Sequence, residues 1–430
     1  MLVTATAGSE RSSSESEAHV RRKRMVYFGS WLMMAINYMD RAALSVALPA
    51  LVVQFGLTDI ESGLVLSAFM WSYTLANLPG AMLLDRFGVR AVGSASVAIW
   101  SVAMMLGGLA GSLGAFLWTR ILLGIGEAPS YALTAKVVRI WAPRREWGFA
   151  TTLLASGQQF GLAFGSFAGG LLVSLLTWRG EFLALGLVGL AFAALWPLLY
   201  RDDPGAQTVR SVGIRESWQS LRALRSASFM RIVVATCCSN YVAYFLMSWL
   251  PIYLVRSQGM GVVQSGAWTG LCYLLTCAVA IPLSRFADRV AAKGRLGRPL
   301  LAALLFVAPV VLVAANWTHA IFAVVFVVVL ASSFNVVGAA VANAVVSELL
   351  IDGRRIGALS GIKLTIANTA GIAAPILTGV IVQASGGFDL VFYLAGAMPL
   401  AAAAIMACGA MRPIAVNADD EIGEGAPAAD

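Results

Sequence analysis

The amino-acid sequence predicts an all-α polytopic membrane protein, with twelve transmembrane helices in two six-helix pseudo-symmetric bundles. Three observations carry that prediction. Hydrophobic residues make up 59% of the chain and charged residues only 12%, where soluble domains hold roughly 25% charged residues. The apolar residues come in runs near the ~20 that a bilayer requires. The chain also repeats itself. Asn37-Tyr38 recurs 203 residues later as Asn240-Tyr241, and Pro79 with Asp85-Arg86 recurs at the same offset as Pro282 with Asp288-Arg289.

Taken in order, residues 1–24 are polar and read as a disordered cytoplasmic tail. Spans are expected at 26–53, 60–84, 89–110, 113–135, 148–173, 180–200, 229–254, 263–286, 299–316, 319–346, 357–383 and 388–411. The first run is long and no small-residue cleavage site follows its core, so it is expected to stay as a span. Residues 201–228, opening with Asp202-Asp203-Pro204-Gly205, read as a cytoplasmic linker between bundles at 25–200 and 229–411. Residues 412–430 form the second cytoplasmic tail.

The net charge of +8 would suit a nucleic-acid partner, but its placement does not. Basic residues gather at Arg21–Arg24, Arg86/Arg90, Lys136–Arg145, Arg201–Arg231, Arg285–Arg298 and Arg354/Arg355, which are alternate loops. The positive-inside rule puts such loops in the cytoplasm, and both termini with them. The intervening loops, with Asp59 and Glu61, Arg179 with Glu181, Arg256, His319 and Asp389, are poor in base. The bilayer is therefore the expected macromolecular partner. The five cysteines lie in apolar runs without metal-ligand or redox spacing, and the two histidines, His19 and His319, are outside the spans. No metal, cofactor, nucleophile–base pair or phosphate loop is expected, which argues against an enzyme.

Charge within the spans is where function is read. Asn37, Asp40 and Arg41 sit at mid-depth of the first span, with Asn37 and Arg41 one turn apart on one face. Arg120 and Glu127 are seven residues apart in the fourth span, on a shared face. Ionisable groups at such depth are costly and mark substrate or ion paths. Arginine suits an anionic carboxylate through its fixed fork, and a desolvated acid suits a coupled proton. The positions matching Asp40 and Arg41 in the repeat are Ala243 and Tyr244, so charge handling is expected in the first half alone. Gly157, Gly161, Gly165 and Gly169 form a ridge for close helix packing. Gln158, beside that ridge, is expected to face a cavity, while Tyr38 and Tyr73 suit packing or ligand contact. Lys363 has two readings, snorkelling to the surface or adding a cation to the cavity.

The loop Gly80–Arg90 resembles the signature loop of the major facilitator superfamily, with Ala81 where a second glycine is common, and Ser284–Arg289 is its echo. Asp85, Arg86, Arg90, Asp288 and Arg289 are its expected cytoplasmic gate. Asn37–Ser45, Arg120–Pro129 and Tyr244–Pro251 resemble the anion:cation symporter family within that superfamily, the phthalate permease-like organic-anion/proton symporters. The resemblance implies a secondary active transporter of a bacterial inner membrane, importing a small organic anion by proton symport with alternating access. An exporter or exchanger of the same fold is the alternative. By the same analogy Arg41 grips the substrate carboxylate, Asp40 and Glu127 carry protons, and Arg120 pairs with Glu127 or the substrate. Tyr38, Tyr73, Gln158 and Asn368 complete a monomer's pocket. The tryptophan that sugar-acid importers often carry in the tenth span is absent from Phe326–Leu350. That favours a compact anion, and Lys363 would suit a doubly charged sulfonated or dicarboxylic acid.

Overall fold

The computed structural model describes residues 3–143, 146–201, 221–293, 297–318, 320–350, 356–408 and 411–414. Most of the expected linker, His319, Arg354/Arg355 and nearly all of the expected C-terminal tail lie outside the described residues. Among those described, ten helices are long and apolar enough to cross a membrane. They are α1 (Val20–Phe55), α2 (Asp59–Leu109), α3 (Leu113–Trp141), α4 (Trp147–Leu199), α5 (Ala227–Arg256), α6 (Val262–Ala292), α7 (Arg298–Trp317), α8 (Ile321–Leu349), α9 (Leu359–Ser385) and α10 (Asp389–Ala407). Hydrocarbon supplies no hydrogen-bond partners, so a segment lying in it must satisfy its own backbone, and these sequences do so as helices. The helix holding α1 runs back to Val3, where the sequence predicts a disordered tail. Extending a helix already nucleated by α1 costs little.

Helix starts are written locally. Thr58 caps α2 through a capping box, its hydroxyl accepting from Glu61 N at 3.2 Å while Glu61 Oε2 accepts from Thr58 N at 2.8 Å. Interruptions are more informative. The 51-residue α2 breaks at Gly88 (φ 78°), a left-handed position that glycine takes without strain. The 53-residue α4 breaks at Thr177 (φ 65°), which no glycine relieves. In α3 regular helix ends at Glu127 and resumes at Ser130, across Pro129, which has no N–H to donate. In α9 it is broken at Asn368, between Ala367 and Thr369.

Packing joins the first four helices to the last six at one end. α4 packs on α6, α2 on α9 and α1 on α5. The backbones there nearly touch: a Cβ on Gly63 would lie 2.5 Å from Pro375 O. Arg256 forms an ion pair with Asp59, and Ile60 N donates to Gln383 Oε1 at 3.2 Å. Gly63, Asp59, Ile60, Arg256 and Gln383 all lie near the base-poor loops. At the basic-loop end the ion pairs among the described residues stay within one set of helices: Lys136–Asp85 (2.9 Å), Lys23–Glu146 (3.0 Å) and Arg298–Glu348. The apolar core is arranged likewise. One continuous cluster reaches from Leu48 and Leu66 into Trp249 and Phe388, while Phe229, Phe306, Val345 and Met406 form a separate cluster.

Candidate functional site

Between the two sets of helices lies a cavity of ≈ 240 Å³. It is walled by Tyr38 and Arg41 of α1, Tyr131 of α3, Gln158 and Gln159 of α4, and Asn240 and Tyr244 of α5. Tyr273 and Thr276 of α6, Ser332 and Asn335 of α8, and Asn368 of α9 close it. Arg41 is the one cation lining it among the described residues.

The position of Arg41 follows from packing. The glycine ridge of α4 lets α1 approach until a Cβ on Gly165 would meet Met39 Cα at 2.7 Å, and Gly157 and Gly161 sit as closely on Trp31 and Ala35. This fixes the turn of α1 that carries Asp40 and Arg41. The Arg41 guanidinium is packed against the rings of Tyr38 (4.6 Å), Phe69 (5.0 Å) and Tyr73 (5.1 Å). Its Nε donates to Glu127 Oε2 at 2.9 Å and its Nη2 lies 2.8 Å from the same oxygen. Glu127 is fully buried, at the last helical position before the break at Pro129, and its Oε1 has no partner among the described residues.

Arg120 departs from expectation. Residues seven apart share a face but stand about 10 Å apart along the axis, and Arg120 does not reach Glu127. Its guanidinium lies between the Phe116 (4.9 Å) and Phe182 (4.8 Å) rings, with Nη1 and Nη2 each 3.6 Å from Met104 Sδ. Arg120 and Asp40 border a separate void of ≈ 10 Å³, about one water molecule's room, shared with Arg41 and Ser45. Asp40 is 2% exposed and its Oδ1 is unpartnered among the described residues.

The remaining expected residues divide. Tyr38, Gln158 and Asn368 line the cavity; Tyr73 does not, but stands behind Arg41. Tyr38 and Tyr131 share a hydroxyl–hydroxyl hydrogen bond of 2.5 Å, and Tyr244 Oη donates to Asn368 Oδ1 at 3.4 Å. Lys363 follows neither of its two readings: it is buried, absent from the cavity lining, and hydrogen-bonded to Asn343 Oδ1. At the basic-loop end Asp85 pairs with Lys136, whose Nζ also donates to Leu84 O at 3.1 Å, and Arg86 lies 5.2 Å from the Phe87 ring. Arg90, Asp288 and Arg289 are exposed.

The sequence from residue 30 to residue 314 matches the model of the Major Facilitator Superfamily. This chain belongs to that superfamily. Among its relatives, the probable galactarate/D-glucarate transporter GudP of Bacillus subtilis (strain 168) is 30% identical, covering 88% of this chain and 89% of the relative. The probable sulfoacetate transporter SauU of Cupriavidus necator is 30% identical over 93% and 94% of the two chains. The hexuronate transporter of Bacillus subtilis (strain 168) is 28% identical over 86% and 90%. Two solved structures show the same fold. A bacterial homolog to the human lysosomal transporter Spinster, inward-facing and unoccupied, aligns with a TM-score of 0.70 at 18% identity over 90% and 94% of the chains. A D-xylose-proton symporter aligns with a TM-score of 0.70 at 16% identity over 91% and 98%.

Membership of the superfamily makes the chain a membrane transporter and not an enzyme, and these relatives belong to its organic-anion transporters. The superfamily loop has the turn its sequence predicts, at Gly88. One acid escaped sequence reasoning altogether. Glu181, placed there in a base-poor loop beside Arg179, is fully buried with both carboxylate oxygens unpartnered among the described residues. An acid in the first turn of a helix ordinarily answers the helix dipole from the solvent side. The sequence carries no signal for it, since Gly169, where a Cβ would lie 2.5 Å from Glu181 Oε1, reads like the three other ridge glycines. Tyr131, Tyr244 and Tyr273 also went unassigned, since nothing in an apolar run distinguishes a cavity tyrosine from a packing one.

Proposed function

We propose that this chain imports a small hydroxylated organic acid together with protons, by alternating access between two six-helix bundles. The reading takes α2 and α4 as two spans each, parting at Gly88 and Thr177, so that ten helices become twelve spans. Six lie in residues 25–200 and six in 229–411, and the 203-residue repeat supports the pairing. Basic loops face the cytoplasm of a bacterial cell, with both termini. In that orientation the close contacts between bundles seal the outside, and the cavity opens inward.

The observation that carries the reading is the Arg41–Glu127 pair at the cavity wall. Both guanidinium contacts fall on one carboxylate oxygen, so the fork is engaged but not matched. A proton on Glu127 removes the charge that holds Arg41 and frees a fork shaped for two parallel hydrogen bonds to a substrate carboxylate. An arriving carboxylate in turn displaces Glu127 and makes it the better proton acceptor. Substrate and proton thus bind as a pair, as symport requires. The rest of the lining is neutral: amides of Gln158, Asn240, Asn335 and Asn368 and hydroxyls of Tyr131, Tyr244, Ser332 and Thr276. That set suits hydroxyl groups better than a second negative charge. With Lys363 engaged elsewhere, a sugar acid fits this lining better than a compact dianion. The name of the hexuronate relative supports the same class, while that of the galactarate/D-glucarate relative supports a hydroxylated acid, but one with two carboxylates.

The test is uptake into proteoliposomes. A monocarboxylate sugar acid is expected to accumulate when the outside is made acidic, and to raise the melting temperature of purified protein. Equal stabilisation by the matching neutral sugar overturns the anion assignment. Rapid counterflow with no accumulation under a proton gradient favours an exchanger.

A further inference from the structure

The charged residues of the first half form a column, and Glu181 stands at its outer end. Its side chain inserts between α4 and α1: a Cβ on Gly169 would lie 2.5 Å from its Oε1 and 3.7 Å from Val46 Cβ. Val46 is six residues beyond Asp40 on α1, about 9 Å along the helix at ~1.5 Å per residue. The neighbouring side chain, Phe182, supports the Arg120 guanidinium. From the base-poor end inward the order is therefore Glu181, then Asp40 and Arg120 around their water-sized void, then Glu127 with Arg41, then the cavity.

Nothing in the fold explains an acid at this place. Arg179, two residues earlier, donates to Gly108 O (3.0 Å) and Ala110 O (2.7 Å) and stacks on Trp178 (4.4 Å). No described hydrogen bond or ion pair reaches the Glu181 carboxylate. A lone carboxylate without hydrogen bonds in apolar surroundings is too costly to keep ionised, whereas the neutral acid is tolerable.

We propose that Glu181 is a further proton-binding acid of the transport cycle, the group that takes protons from the outside and delivers them to Asp40. The assignment rests on the symport reading above. The seal beside it is the α4–α6 contact, where a Cβ on Gly170 would lie 3.0 Å from Val262 O. When the bundles part there, the protonated Glu181 carboxyl meets external water. It passes its proton through intervening water to the Asp40 carboxylate, regaining its own charge. An external proton then neutralises Glu181 before the seal re-forms, so the buried acid carries no charge in the conformation seen here. Each cycle moves the Asp40 proton inward while Glu181 keeps its own.

The experiment compares the wild type with Glu181→Gln in proteoliposomes, measuring substrate-induced proton uptake, the dependence of uptake on external pH, and counterflow at equal pH. Gradient-driven uptake of Glu181→Gln is expected to fall at least tenfold, with a flattened external-pH profile, while counterflow stays within threefold and the melting temperature is retained. Gly169→Ala crowds the carboxyl without removing it, and is expected to shift the external-pH profile even if Glu181→Gln fails to assemble. Proton flux and pH profile equal to wild type in Glu181→Gln, or an unshifted profile in Gly169→Ala, overturns the assignment. Substrate accumulation by the wild type without proton movement instead overturns the symport reading.

Discussion

Asn37-Tyr38 and Asn240-Tyr241 open matching segments of the two halves, yet the segments end differently. Three residues on, the first half has Asp40 and Arg41 where the second has Ala243 and Tyr244. Both segments reach the cavity: Arg41 presents a guanidinium held by Glu127, and Tyr244 presents a phenol that donates to Asn368. Among the described lining residues the charged group, Arg41, belongs to the first half, and the second half contributes neutral groups alone. The difference teaches that a duplicated scaffold need not duplicate its chemistry. One wall alone has to respond to a proton.

The sharpest way to break that comparison is Arg41→Ala. It leaves Glu127 buried without its cation, a loss of about 3–5 kcal/mol when one partner of a buried pair is removed. Uptake is expected to fall more than a hundredfold, together with a clear drop in melting temperature. Arg41→Lys keeps the charge but loses the fork, and is expected to restore stability more than transport. Glu127→Gln should be next in size. It keeps the shape of the acid but cannot take a proton, so accumulation driven by an acidic exterior is expected to vanish while counterflow survives. Continued pH-driven accumulation by Glu127→Gln would sink the coupling scheme.

How much of this was readable beforehand depends on what kind of signal each feature leaves. Spans announce themselves because twenty apolar residues have few other uses, and Gly88 announces its turn because few residues take φ near +78°. Thr177 at φ 65° does not, since a threonine in the left-handed region is selected by its surroundings and not by its own preference. The acids and arginines of α1 and α3 were legible as a set, but their partners were not. Spacing tells which face of a helix a residue occupies, and pairing across helices depends on how far each slides. Hence Glu127 meets Arg41, while Arg120 rests on aromatic rings and Met104 sulfur. Lys363 was ambiguous for the same reason: Asn343, on another helix, decides where it ends.

A smaller effect is expected at the joined end of the molecule. Asp59 and Arg256 are partly exposed, and such pairs contribute about 0–1 kcal/mol to stability. Their link spans the two sets of helices, so its loss should act on conformation more than on folding. Asp59→Asn is expected to favour opening at the base-poor end by up to about fivefold, read as faster labelling of a cysteine replacing the buried Ser62. Exchanging the two charges, Asp59→Arg with Arg256→Asp, should return labelling to the wild-type rate. If the double exchange labels as fast as Asp59→Asn, the pair is not a latch.

The smallest expected effect tests the neutral wall directly. Tyr244 Oη lies 3.4 Å from Asn368 Oδ1, a long and weak hydrogen bond, at the point where α9 is broken. Tyr244→Phe leaves the ring in place and removes one donor, so about 0.5–1.5 kcal/mol is at stake. If the neutral wall selects substrate by its hydroxyls, affinity for a hydroxylated acid should fall about threefold to tenfold, while an unsubstituted carboxylate of similar size is unaffected. The dependence on external pH should be untouched, because no titrating group has changed. A shifted pH profile in Tyr244→Phe would mean that the second half takes part in charge handling after all, and the division between the two walls would fail at its weakest point.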